Sequence, residues 1–226
     1  MYLHRKLVKK KANIMDFSEV LKHRVSIRDY QPTQVTRTLL TSVVADAQQA
    51  PSWANSQPWK VYIATGETMK KIQKSHLEKT RAGIKGNADL PVKDIHDWGN
   101  LPWSNMSEWL DKVGSDPTMT DFTAANGRLW NAPAMAYITI PKTAPVWSIY
   151  DAGSFAQTLM LSAASHGLDT MVAYENVKYA DEIREFAGVP ADELIVEGIA
   201  MGYRSDDKIN DFKNARLATA KMLTIL

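Results

Sequence analysis

The sequence predicts an α+β fold in a single domain, and three observations carry that expectation. Helical and strand patterns alternate from Asp16 onward but open with two helices in succession, unlike a regular strand–helix repeat. Two strand patterns, AMAYITI at 134–140 and LIVEGIAM at 194–201, read as buried, and the first, apolar on both faces, belongs in the middle of a sheet. No internal repeat or linker breaks the chain, and 226 residues suffice to bury one sizeable core.

Asp16-Phe17-Ser18-Glu19 reads as a capping box, opening a short helix with Phe17, Val20 and Leu21 on one face and its end near His23. After Pro32, Thr33 is placed to cap a longer helix, with Val35, Leu39, Leu40, Val43, Val44 and Ala47 at helical spacing as far as Pro51. The prolines and small polar residues of 51–59 make a loop. Residues 60–64 alternate as a strand ending at Gly66, and Glu67 to about Arg81 reads as a charged surface helix. From about 82 to 120 the periodicity dissolves. Trp98, Trp103 and Trp109 lie there among Gly, Pro and Asp, so the segment reads as a lid or excursion with short helical pieces over something apolar. Plain anchoring of an irregular loop to the core is the alternative.

Asp121 to Trp130 is helical in pattern and leads into the 134–140 strand. Asp151 opens a strong helix whose wide face of Ala152, Phe155, Ala156, Leu159, Met160, Ala163 and Ala164 suits a core or a subunit interface; Gly167 stops it, with His166 capping its end. A short strand at 170–174, a helix from Tyr179 to Ala187 and the 194–201 strand follow. The chain then turns polar past Lys213 and Arg216, and 217–226 carries no helix stop.

The composition is that of an ordinary globular protein, 45% hydrophobic and 23% charged. The absence of cysteine excludes disulfides, thiolate metal sites and a cysteine nucleophile, and fits a reducing cytoplasm. Residues 1–14 hold five cations and no acid; subtracting them from the net +2 leaves −3 on the body, which argues against a nucleic-acid surface on the fold. That stretch lacks an apolar run long enough for a signal or a span and reads as a disordered basic extension of a domain covering 15–226. There is no Gly-x-Gly-x-x-Gly, no P-loop, no Gly-x-Ser-x-Gly elbow and no metal-spaced histidine pair. An enzyme of this sequence draws its reactivity from an organic cofactor.

The stretch at 23–32 is the one that bears chemistry. In extended backbone Arg24, Ser26 and Arg28 share one face, and two guanidiniums with a hydroxyl suit a phosphate. A solvated basic turn, with Arg28 paired to Asp29 or a nearby acid, is the plain alternative. Arg24-x-Ser26-x-Arg28 is followed by Pro51-Ser52-x-x-Asn55-x-Gln57-Pro58-Trp59, and then by Ala132-Pro133 before the central strand. Asp151-x-Gly153 opens the long helix and Leu161-x-Ala163-Ala164-x-x-Gly167-Leu168 closes it, ahead of Gly202-Tyr203 and a basic C-terminal segment. From about residue 16 to the end, this succession resembles the nitroreductase family of FMN flavoproteins.

The resemblance implies a three-layer fold, a central mainly antiparallel sheet flanked by helices, in an intertwined homodimer with FMN at the subunit interface. It implies that Arg24, Val25, Ser26 and Arg28 hold the phosphate and ribityl chain, with Arg216, and less directly Lys213, completing the clamp. It implies that Ser52, Trp53, Asn55 and Gln57 border the flavin, often from the other subunit. Trp53 departs from the smaller residue usual there. Ala173, Tyr174 and Glu175 fall where backbone donors reach the flavin's N5/O4 edge, although the glycine pair of many members is missing. No side chain is implied as catalytic: NAD(P)H delivers hydride to FMN N5, which reduces nitroaromatics, quinones or similar flat acceptors in a ping-pong cycle. A different redox task on the same fold (enone reduction, dehalogenation, substrate oxidation) and a non-catalytic flavin-binding module are the alternatives.

Overall fold

The computed structural model describes residues 16–226, so the basic stretch 1–14 lies outside the described residues. In chain order the elements are α1 (Phe17–His23), α2 (Arg37–Ala47), β1 (Lys60–Thr65), α3 (Gly66–Arg81), α4 (Asn100–Ser115), α5 (Phe122–Gly127), β2 (Ala134–Pro141), α6 (Trp147–Ser165), β3 (Asp169–Val172), α7 (Ala180–Ala187) and β4 (Glu193–Gly202). The strands form one sheet in the order β1-β2-β4-β3, antiparallel at every pairing, with a bulge at Val196 of β4, opposite the Ile138–Thr139 step of β2.

The layering follows from β2. Every residue from Ala134 to Ile140 is buried, so neither face can meet water and each needs a helical cover. Ala134, Ala136, Ile138 and Ile140 face α2 and α6, where Leu40, Val43, Phe155 and Leu159 complete a core. Met135 and Tyr137 face the other way, toward Met69 and Ile72 of α3, Ala125 of α5 and Ala180 and Ile183 of α7. The expected α+β fold, three layers around an antiparallel sheet, is the one observed.

Several boundaries depart from expectation, each for a local physical reason. Thr36, not Thr33, caps α2: its hydroxyl accepts from Leu39 N–H at 3.3 Å, while Val35 is buried just ahead of the helix. Helix α6 starts at Trp147, four residues before Asp151, whose carboxylate is turned to another task described below. Gly167 ends it as expected: at φ 76° it lets Leu168 N–H reach back to Ala163 O at 2.8 Å. His166 does more than end the helix, since its Nε2 meets Asp46 at 3.0 Å and ties α6 to α2. Helix α3 is not merely a surface helix, because it buries Met69, Ile72 and His76. The helical pattern from Asp121 breaks early; α5 ends at Gly127 and Leu129, Trp130 and Asn131 all adopt positive φ.

The 82–120 excursion contains α4, which buries none of its residues fully. It is nevertheless tied at several points. Asp89 accepts from Arg184 at 2.6 Å and from Ile195 N–H at 2.7 Å, and Tyr179 donates to Ile84 O at 3.0 Å. Met119 is buried in the core and Trp109 donates to Asn214 at 3.0 Å.

One buried group opposes the fold. Glu197 on β4 has a carboxyl oxygen without a hydrogen-bond partner, and burial pushes its pKa up to about 7. With the folded value raised above the ordinary 4.5, the unfolded chain releases this proton first, so stability declines as pH rises through that interval and levels off above it. Glu197→Gln should therefore stabilise the protein by about 1–3 kcal/mol at pH 8 and by nothing resolvable at pH 4.5, as measured by urea unfolding at both values.

Candidate functional site

The 23–32 stretch is built into the fold by backbone pairing. Ser26 bridges Thr170 in parallel, and Ile27 N–H donates to Thr170 O at 3.1 Å, so the stretch runs beside β3. At its far end Tyr30 bridges Arg204. Between them Asn210 does the anchoring: its Oδ1 accepts from Arg28 N–H at 2.7 Å and Asp29 N–H at 3.1 Å, and its amide donates to Asp29 O at 2.9 Å.

Arg28 is 2% exposed and lines the cavity described below. Its Nη1 donates to Ser26 O and Phe212 O, and its guanidinium lies 5.1 Å from the Phe212 ring centroid. Nε, however, is buried with no partner, and no carboxylate pairs with this arginine among the described residues. The expected alternative, an Arg28–Asp29 pair, is absent; Asp29 accepts instead from Asn131 and Ser205. Arg24 is half-buried at the end of α1 and also lacks an acid partner among the described residues. Burial first, and the like charge of Arg216 second, hold its guanidinium below the ordinary pKa. Two arginines repelling one another without an anion is an arrangement that an anion would relieve. Val25 packs against the core beneath them.

Beside these cations opens a cavity of about 350 Å³, within the range of small-ligand sites. Ser26, Arg28, Ala173, Tyr174 and Glu175 line it, with Trp109, Phe122 and Trp130 supplying aromatic surface. A second cavity, of about 430 Å³, adjoins it across Trp109 and Asn214 and is walled by Arg216. Lys213, on the same terminal segment, is exposed. An arginine and a hydroxyl together with flat aromatic walls fit a phosphate-bearing aromatic cofactor such as FMN.

The wall containing Tyr174 and Glu175 is a single 3-10 turn, Tyr174–Val177, held from below by Asn176. That amide donates to Met171 O and Gly198 O at 2.9 Å each and accepts from Trp130 Nε1 at 2.8 Å. Gly198 permits the contact, since a β-carbon there would stand 2.8 Å from that of Asn176. The strand pattern at 170–174 thus stops at Val172, and the turn replaces its last residues.

Ser52, Trp53, Asn55 and Gln57 line neither of these two cavities in the single chain. Their loop packs on the start of α6, where Asp151 accepts from Trp53 N–H at 3.1 Å and faces Ser56 Oγ at 3.5 Å. Ala54, Asn55 and Gln57 all have φ between 43° and 60°, and Gln57 N–H is held by Ser52 Oγ at 3.0 Å. Non-glycine residues seldom occupy this region, and clusters of them mark functional loops. Trp53 is 61% exposed and lies 5.1 Å from Trp147.

Sequence reasoning overlooked Asn210, Phe122 and Asn214, missed the anchoring role of Asn176, and placed Trp109 only in an excursion over something apolar. None stands in a spacing that carries chemistry; the three asparagines matter only because distant segments meet at them.

The chain belongs to the nitroreductase family, whose model matches residues 21–203. It is 27% identical over 200 residues to the 4-nitrobenzoate reductase of Pseudomonas putida, covering 85% of this chain and 87% of that one. Nitroreductase NfnB of Mycolicibacterium smegmatis is 27% identical over 194 residues, covering 83% and 82% respectively. The crystal structure of the FMN-dependent nitroreductase NfnB from Mycobacterium smegmatis in complex with NADPH superposes with a TM-score of 0.83 at 23% identity, covering 92% of this chain and 97% of that one. The shared fold is thereby shown.

Asn210→Ala leaves two backbone N–H groups without their acceptor beneath the arginines. It should destabilise the protein by about 1–3 kcal/mol, measured by denaturant unfolding, with a smaller loss for Asn210→Asp, which keeps the acceptor.

Proposed function

We propose that this protein is an FMN-dependent oxidoreductase that uses NAD(P)H to reduce nitroaromatic and similar flat, electron-poor acceptors. The observation that carries the reading is the juxtaposition of Arg24 and Arg216, cations without an acid partner among the described residues, with the buried unpartnered Nε of Arg28 at an aromatic cavity. FMN, when bound, supplies hydride transfer between the pyridine nucleotide and the acceptor.

The chain's own residues do the rest. Arg24, Arg28 and Arg216, with the Ser26 hydroxyl and Lys213 near by, neutralise the phosphate through charge-assisted hydrogen bonds. The Tyr174–Val177 turn, following Ala173, offers backbone donors that stabilise negative charge gained on reduction. Trp109, Phe122 and Trp130 keep the inner wall apolar and exclude water. The strained 52–57 loop has no place at its own chain's cavity, which supports a homodimer in which Ser52, Trp53, Asn55 and Gln57 close the partner's site. Among the described residues no helix is long and apolar enough to cross a membrane.

The decisive experiment is spectroscopic. Purified protein should be yellow, bleach with NADPH or NADH under nitrogen, and recover its absorbance on addition of a nitroaromatic such as 4-nitrobenzoate. A preparation that stays colourless after incubation with FMN refutes the reading. Arg24→Ala should weaken FMN binding by about 1.5–3 kcal/mol, the worth of a hydrogen bond to a charged group, measured by flavin fluorescence. Unchanged affinity would remove Arg24 from the clamp.

A further inference from the structure

At the cavity wall lies a cluster of ionisable side chains of which only Glu175 has a part in the reading above. On the buried side of α3, His76 is 1% exposed, and both of its ring nitrogens meet carboxylates. Nε2 lies 3.2 Å from Glu175 Oε1, and Nδ1 lies 3.5 Å from Glu182 Oε1 on α7. An ionised carboxylate only accepts hydrogen bonds, so a ring facing one at each nitrogen is satisfied only when both nitrogens carry protons.

The surroundings complete the balance. Glu175 also accepts from Lys178 Nζ at 2.8 Å; Glu182 accepts from Ser75 Oγ at 2.8 Å and lies 3.2 Å from Lys79 Nζ. Tyr179 packs its ring against His76 at 5.1 Å, with Lys79 and Lys178 each 5.2 Å from the Tyr179 centroid. Tyr137 of β2 is buried nearby, its hydroxyl pushed up in pKa by burial and then by the charge of Glu182. For His76 itself burial opposes the charge, but the hydrogen bonds and charges of the two glutamates prevail and raise its pKa above 6.5.

We propose that His76 is a positioning residue, a buried imidazolium that clamps Glu175 to Glu182 and so fixes the turn forming the flavin-facing wall of the cavity. Asn176 secures that turn to the sheet, and His76 secures it to α3 and α7 through the carboxylate of Glu175, the residue between Tyr174 and Asn176. A neutral imidazole keeps one N–H, so losing the proton leaves one carboxylate facing a lone pair and loosens the wall. Because the folded pKa is raised, the clamp is whole below pH 6.5 and weakens as pH climbs through the higher folded value.

The inference rests on the FMN reading, and its test separates the two. The dissociation constant of FMN from the full-length protein is measured from pH 6.5 to 9, above the second phosphate pKa of about 6, while 15N NMR follows the His76 ring. The wild type should lose affinity roughly three- to tenfold across this range, with the midpoint of the ring titration. His76→Gln should bind FMN more weakly at pH 7, with an affinity that no longer changes up to pH 9. The proposal is overturned by a ring singly protonated at pH 6.5, by a wild-type affinity that stays constant while the ring titrates, or by a variant that keeps the pH dependence. Should the variant not fold, the comparison of the two wild-type midpoints decides alone. A wild type that binds no FMN at any pH overturns the cofactor reading and this inference with it, whatever the state of the ring.

Discussion

Burial of β2 on both faces is the constraint from which the rest of the molecule follows. A strand without a polar side cannot sit at an edge or face solvent, so it takes β1 on one flank and β4 on the other. Its two apolar rows then demand separate helical layers, α2 and α6 on one side and α3, α5 and α7 on the other. The short β3 is left at the edge beyond β4, where the 23–32 stretch covers part of it through the Ser26–Thr170 bridge. The proposed cofactor site lies where that cover and the turn after β3 diverge.

Around this frame, single polar side chains rather than long elements hold the irregular segments. Asn210 serves the backbone of Arg28 and Asp29, Asn176 serves Met171 and Gly198, and Asp151 serves the loop at Trp53. Each satisfies backbone groups that the sheet and helices leave unpaired, and an unsatisfied buried group costs more than a hydrogen bond gains. Walls held in this way present fixed dipoles to whatever enters the cavity, which is the preorganisation that electrostatic stabilisation requires. Arg28 shows the same economy: part of its guanidinium ties the 23–32 stretch to Phe212, and Nε is left without a partner.

Much of this was legible in the residue pattern. The two buried strand patterns announced a central sheet, Gly167 announced the end of α6, and period-two spacing, a local property, put Ser26 and Arg28 on one side, where both line the same cavity. What was illegible depended on contacts between distant segments. Asp151 resembled a helix opener because its neighbours turn apolar there, yet its carboxylate belongs to the loop at Trp53 and the helix had already begun at Trp147. His76 sat in a run of lysines and glutamates that reads as solvated; only Ile72 and Met69, one and two turns earlier, place it on the buried face.

The sequence by itself determined the class of fold and the chemical character of the 23–32 stretch. Hydrophobic periodicity and residue type act over a few positions and are written in order along the chain. Tertiary structure alone decided that Arg24 feels the charge of Arg216, that Arg28 ignores Asp29, and that the imidazole of His76 lies between two glutamates ninety-nine and one hundred and six residues away. Electrostatic energies depend on separation in space and on exclusion of water, and neither quantity exists until the chain has closed around them.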